Sequence, residues 1–288
     1  MALDRYARQR LFGWLARGAA ALVVAVMLGV VAVTIYRGGR VFLTDPAIAV
    51  TPPGSRYMLE GDGGFLHAVL GSIFIVGPAT VVSMVLAVST AIYLQSDYSS
   101  ERFADAVNMF LNVLWGTPPI VYGVFVLTVI IAVGAQTSLF FGIVAIAIFQ
   151  YPIMTRYTDE ALRSAPETVK EATYGLGATR FETALMTVRA ALPGVVAGIV
   201  MGFARGIGDA ATVLFTAGRS TNMPGGPFEP ATTLPVLIFD QAMSFNAEVR
   251  SHAYAAAFVL IVAVLALIFA SKLLAGRYAR FAPGGRHS

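Results

Sequence analysis

Charge is missing from five long stretches of this chain, and those gaps limit what it can fold into. Nineteen uncharged residues separate Arg17 from Arg37, 34 separate Asp62 from Asp97, and 50 separate Asp105 from Arg156. Fifteen more lie between Arg189 and Arg205, and 21 between Arg250 and Lys272. A helix crossing a bilayer needs about 20 mainly apolar residues. In hydrocarbon every backbone polar group must be paired inside the protein, which favours helices. Composition agrees, with 57% hydrophobic and 12% charged residues against about 25% charged in a soluble domain. A water-soluble domain and a disordered chain are therefore excluded. So is a nucleic-acid binder, because a net charge of +4 is too small for a basic footprint on one face. Without cysteine there is no disulfide framework, thiolate metal site or thiol nucleophile.

The gaps predict an all-α integral membrane chain with six transmembrane helices. The first and last gaps hold one span each, the last at about 253–274, and the 34-residue gap holds a long span from about Phe65 to Leu94. The 50-residue gap holds two, at about 118–133 and 139–153, parted by Gly134-Ala135-Gln136-Thr137-Ser138. Pro118 and Pro119 break or kink any helix arriving from upstream, since proline has no N–H to donate. A fifth span, about 192–217, carries the two ionisable groups placed within the bilayer, Arg205 and Asp209. The N-terminal apolar run is longer than a signal-peptide core and lacks a small-residue cleavage site, so it reads as a retained helix. The segment at 37–64, rich in Gly and Pro, reads as a loop.

Six spans put both termini on one side. That side carries 14 of the 20 Lys and Arg residues, and the other side five (Arg37, Arg40, Arg56, Arg219 and Arg250). Positive charge favours the cytoplasm, so both termini are expected there. The segment from Arg156 to Pro193 carries five charges of each sign. Ser164 with Glu167, and Thr179 with Glu182, each fit a capping box. Gly175 and Gly177 lie between them, where a helix end tolerates a left-handed backbone. A cytosolic helix at about 165–174, a glycine turn and a second helix feeding span 5 follow. Such a hairpin is either a solvated loop or a docking surface.

Several stretches resemble a known family. Glu171-Ala172-Thr173, followed by Gly177-Ala178-Thr179-Arg180, is similar to the EAA loop of ABC importer permeases. Gly116-Thr117-Pro118-Pro119-Ile120-Val121-Tyr122-Gly123, Glu160 to Pro166, Arg205-Gly206-Ile207-Gly208-Asp209-Ala210-Ala211 and Thr233-Leu234-Pro235 resemble stretches of phosphate permeases. The order of the last of these resembles the PstA-type subunit. Where that family has glutamate this chain has Asp209, one methylene shorter. The resemblance implies a type I ABC importer permease fold in the bacterial or archaeal cell membrane. It implies an N-terminal part at 1–62, a permease domain at 63–275 with a coupling loop at 156–193, and a cytoplasmic tail at 276–288. It also implies a PstC-type paralogue, two copies of an ATPase and an extracytoplasmic phosphate-binding protein as partners. Glu171, Ala172 and Gly177 would then couple to the ATPase, and Arg205 and Asp209 would line the substrate path.

On a continuous helix Arg205 and Asp209 share a face and can pair. An ion pair lowers the cost of charge in the bilayer, and it serves either to lock span 5 or to hold an anion-binding guanidinium. No Walker A pattern occurs, so ATP and Mg are expected on the partner ATPase and no cofactor on this chain. His67, His252 and His287 lie far apart in sequence, and no metal is expected. Permeases for sulfate, molybdate or tungstate remain alternatives. A membrane enzyme would need more acid–base groups than the spans supply.

Overall fold

The computed structural model describes residues 5–95 and 97–279, with side chains described as far as Leu273. Arg280, Arg286 and His287 lie outside the described residues, as does most of the tail. Among the described residues the regular structure is helical, apart from one isolated bridge between Pro53 and Gly63. Twelve helices follow in order. They are α1 (Arg5–Thr44), α2 (Tyr57–Glu60), α3 (Leu66–Tyr93), α4 (Glu101–Gly116), α5 (Pro119–Ala132) and α6 (Leu139–Arg163). Then come α7 (Glu167–Gly175), α8 (Arg180–Ala190), α9 (Leu192–Ile207), α10 (Ala211–Leu214), α11 (Leu234–Ala242) and α12 (Ala247–Ala279).

Four of these, α1, α3, α6 and α12, are long and apolar enough to cross a membrane. Two bent pairs qualify if each is taken as one span: α4 with α5, bent by 101°, and α8 with α9, bent by 72°. The expected span at 118–133 is therefore only the second limb of a bent unit. The break falls where Pro118 and Pro119 withhold N–H donors, and Thr117 closes α4 by donating its hydroxyl to Val113 O at 2.7 Å. The span expected at 139–153 runs on to Arg163 as part of α6. Absence of charge marks the buried part of a helix, not its hydrogen-bonded end. The expected loop at 37–64 is part helix, since α1 runs to Thr44 and α2 occupies Tyr57–Glu60.

Helix α6 lies at the centre, packed against both α3 and α9, which also touch each other, while α12 packs on α1, α9 and α11. Ile75, Val76, Ile146, Phe149, Ile153, Ile207 and Val213 form the main core. The α6–α9 contact rests on a stripe of glycines. Gly194, Gly198, Gly202 and Gly206 face Ala161, Tyr157, Met154 and Gln150, and a Cβ on Gly202 would lie 2.5 Å from Met154. Without apolar burial as a driving force between helices in lipid, close backbone approach through small residues supplies the attraction. Conversely, the most apolar window of α1 has none of its residues buried, which suits a helix that lies against lipid or another chain.

Candidate functional site

Two places gather the residues singled out in the sequence. The first is the break after α9. The helix ends at Ile207, with Gly208 donating its N–H to Gly206 O, so residues 192–217 are not one continuous span. Asp209 lies beyond the helix end and its Oδ2 accepts the Thr212 N–H at 2.9 Å. A short carboxylate offered to a backbone donor caps the next turn, α10. The helical spacing that would pair Arg205 with Asp209 is thereby lost. Among the described residues the ion pairs are Arg56–Glu60, Asp159–Arg163, Asp97–Lys170 and Arg219–Asp240, and Arg205 is in none of them. Its guanidinium carbon sits 5.4 Å from the centre of the Phe149 ring, within range of a cation–π contact. Arg205 is exposed in the isolated chain and Asp209 is half-buried.

The same break brings two sequence stretches together. Thr212 donates its hydroxyl to Pro119 O at 3.1 Å. Gly123 passes so near the α10 backbone that a Cβ there would lie 2.8 Å from Thr212 O. Tyr122 packs edge-on against Phe149 with ring centres 5.7 Å apart, and its hydroxyl donates to Leu114 O at 2.6 Å. The break between α4 and α5 and the break after α9 are thus joined through Thr212, and the Arg205 guanidinium is backed by the Phe149 ring.

The second place is the α7–α8 hairpin. Glu171 and Ala172 are exposed on α7, and Gly177 follows it at φ +80° with open space around it. Only glycine adopts that backbone without strain. The expected capping box at Thr179 is formed: Thr179 N donates to Glu182 Oε2 at 2.8 Å, and Glu182 N donates to Thr179 Oγ1. The one expected at Ser164 is absent. Its hydroxyl donates to Glu160 O, and Pro166 precedes the first residue of α7, so the helix starts two residues later than that box requires. The hairpin is held to the α3–α4 connection by Tyr98, whose hydroxyl donates to Arg180 O at 2.6 Å, and by Lys170, 3.3 Å from Asp97. Its turn projects Leu176 at 89% and Phe181 at 77% exposure. Sequence reading passed over these two. Their signal was an apolar residue on each side of the glycine turn within a charged segment.

At the opposite end of the bundle, His67 and His252, distant in sequence, meet around Tyr57, with ring centres 5.3 and 5.5 Å from it. Burial pushes the Tyr57 hydroxyl up to about 12, so it stays a protonated donor at neutral pH.

Residues 83–280 match the family described as binding-protein-dependent transport system inner membrane component. The chain is 32% identical over 227 residues to the phosphate transport system permease protein PstA of Yersinia pestis, covering 78% of this chain and 75% of that one. It is 30% identical over 208 residues to the probable phosphate transport system permease protein PstA of Methanocaldococcus jannaschii, covering 72% and 74%. Among solved structures, an inward-facing form of the MetNI methionine ABC transporter aligns with a TM-score of 0.58 at 19% identity, over 74% of this chain and 95% of that one. A bacterial alginate ABC transporter aligns with a TM-score of 0.57 at 14% identity, over 95% and 99%.

Proposed function

The chain belongs to the binding-protein-dependent transport system inner membrane component family, and from that membership we propose that it is a permease subunit of an ATP-driven importer of inorganic phosphate. The observation that carries the substrate is similarity over roughly three quarters of the chain to permeases named for phosphate transport. The exposed Arg205 guanidinium supports it, because a planar fork of donors suits phosphate oxygens. The fold is that of an ABC importer permease, and the chain is a multi-pass membrane protein.

The finer reading counts each bent pair as one span, giving six. The excess of Lys and Arg on the side of the α7–α8 hairpin supports a cytoplasmic position for that hairpin and both termini. The hairpin docks into an ATPase through Glu171, Ala172 and the turn at Gly177, with Leu176 and Phe181 supplying apolar contact. ATP and Mg2+ belong to that ATPase, present in two copies. A PstC-type paralogue completes the pore, and a phosphate-binding protein delivers from the opposite face. Arg205 meets phosphate on its path. Asp209 holds the break that presents Arg205 and balances its charge through space.

The test is uptake of labelled phosphate by cells with and without this gene, with excess sulfate, molybdate or tungstate as competitors. Gene-dependent uptake that the competitors do not suppress is expected. Unchanged phosphate uptake with loss of another oxyanion's uptake would overturn the substrate and leave the family in place.

A further inference from the structure

We propose that the chamber beside the Arg219–Asp240 ion pair is a second oxyanion subsite, placed at the mouth where substrate enters. The proposal rests on the phosphate-importer reading and deepens it. The chamber encloses about 460 Å³ among α2, α3, α11 and the segment after α10, and its polar lining includes His67, Arg219, Ser220, Thr221, Asp240 and Gln241. His67 and Gln241 are each only 1% exposed. Among the described residues, neither ring nitrogen of His67 nor either amide atom of Gln241 has a hydrogen-bond partner. The Tyr57 hydroxyl lies beside Gln241, behind the chamber's lining, and can partner one end of its amide, leaving the other end and the His67 ring for an occupant. Buried polar groups in folded proteins are nearly always paired, because an unpaired one carries its full desolvation cost. A chamber with two such side chains, His67 and Gln241, on its walls is shaped for an occupant that supplies the partners.

The charge pattern says which occupant. Arg219 stands half-exposed at the mouth and reaches Asp240 through one nitrogen, Nη2, at 3.3 Å. Its other N–H groups add to the imidazole, the Gln241 amide and the hydroxyls of Ser220 and Thr221. Ser220 Oγ already accepts the Asn222 N–H, which leaves its proton to donate. Donors arriving from several sides around one guanidinium suit a small tetrahedral oxyanion. Asp240 offsets the positive charge, so the anion is held loosely enough to move on, as a conducting site requires. Arg219 follows Arg205 by fourteen residues on one broken segment, and the two arginines form successive stations.

The test uses the assembled importer purified without its binding protein, with radiolabelled inorganic phosphate as the probe. Equilibrium binding is measured on that preparation, and the KM for uptake after the binding protein is added back, for wild type, Gln241→Leu and Arg219→Gln. Each variant is expected to weaken binding and raise KM by about 10-fold or more, as loss of a hydrogen bond to a charged group does, with the ATPase still co-purifying. Unchanged affinity and KM in both variants overturn the subsite, even if their melting temperatures move, because a purely structural role shifts only the latter. Should Gln241→Leu fail to assemble, Arg219→Gln at the exposed mouth decides the matter. If wild type imports sulfate in place of phosphate, the phosphate reading fails by itself, and the same variants are read with sulfate.

Discussion

Asp209 closes the turn that ends α9 by accepting the Thr212 N–H at 2.9 Å. The break is thus a bonded feature and not a frayed helix end. Replacing Asp209 with Ala removes the acceptor and is expected to cost about 1 kcal/mol, in the range of a lost helix cap. Asp209→Asn keeps an oxygen for Thr212 and should retain most of that stability. Thermal unfolding of the purified importer checks this. Equal losses in the two variants would mean that the charge, not the hydrogen bond, holds the turn.

Arg205 backs onto Phe149 with no carboxylate partner among the described residues. Arg205→Lys keeps the charge but loses the planar fork and the stacking that goes with it. Phosphate uptake is expected to fall severely while the complex assembles at wild-type levels. Uptake indistinguishable from wild type would remove Arg205 from the path.

Much of this arrangement was legible in the sequence, and what was missed has physical causes. Charge-free gaps located α1, α3, α6 and α12, because the cost of burying charge in lipid acts on composition directly. They overestimated the continuity of the fifth span. Hydropathy reports where a segment sits, whereas Asp209 and Gly208 end α9 through backbone hydrogen bonds that hydropathy does not register. The capping box at Thr179 was readable because its partners are three residues apart. The joining of residues 116–123 to 205–211 was not, since Thr212 and Pro119 are 93 residues apart. The glycine stripe of α9 stands in the sequence at four-residue spacing, but its partners on α6 are set by the fold.

Gly198 shows what that stripe demands. A Cβ there would lie 2.5 Å from the Cβ of Tyr157, an atom too close to the α6 backbone to swing aside. Gly198→Ala is expected to destabilise by about 1–3 kcal/mol, the usual cost of overpacking, and to lower the yield of assembled importer. Gly29→Ala on α1, where nothing lies within 4 Å, serves as the control and should be neutral or slightly stabilising. The comparison is read from melting temperature and yield in detergent.

Gly177 adopts φ +80° at the exposed turn of the α7–α8 hairpin. A leucine there faces open space, so the fold tolerates its volume but not its backbone, which pays about 1–2 kcal/mol for a left-handed conformation. Gly177→Leu is expected to leave the spans intact and to separate ATP hydrolysis from uptake, or to release the ATPase during purification. Parallel assays of hydrolysis and uptake on the same membranes distinguish these from normal coupling, which would take the hairpin out of the docking surface.

The absence of cysteine makes the orientation directly measurable. Ser55 and Asn222 are exposed at one end of the chain, Ser100 and Ser164 at the hairpin end. Single cysteines at Ser55 or Asn222 are expected to react with a membrane-impermeant maleimide added to intact, outer-membrane-permeabilised cells. Cysteines at Ser100 or Ser164 should react only after the inner membrane is opened. The distribution of Lys and Arg predicts this pattern, because it is the 14-to-5 imbalance that sets the hairpin side inward. The reverse pattern would invert the topology and place the α7–α8 turn where no ATPase could reach it. Labelling of Ser164 from outside together with Ser55, with Ser100 protected, would show that the α4–α5 pair does not cross the membrane, and protection of Asn222 together with Ser164 would show that the α8–α9 pair does not.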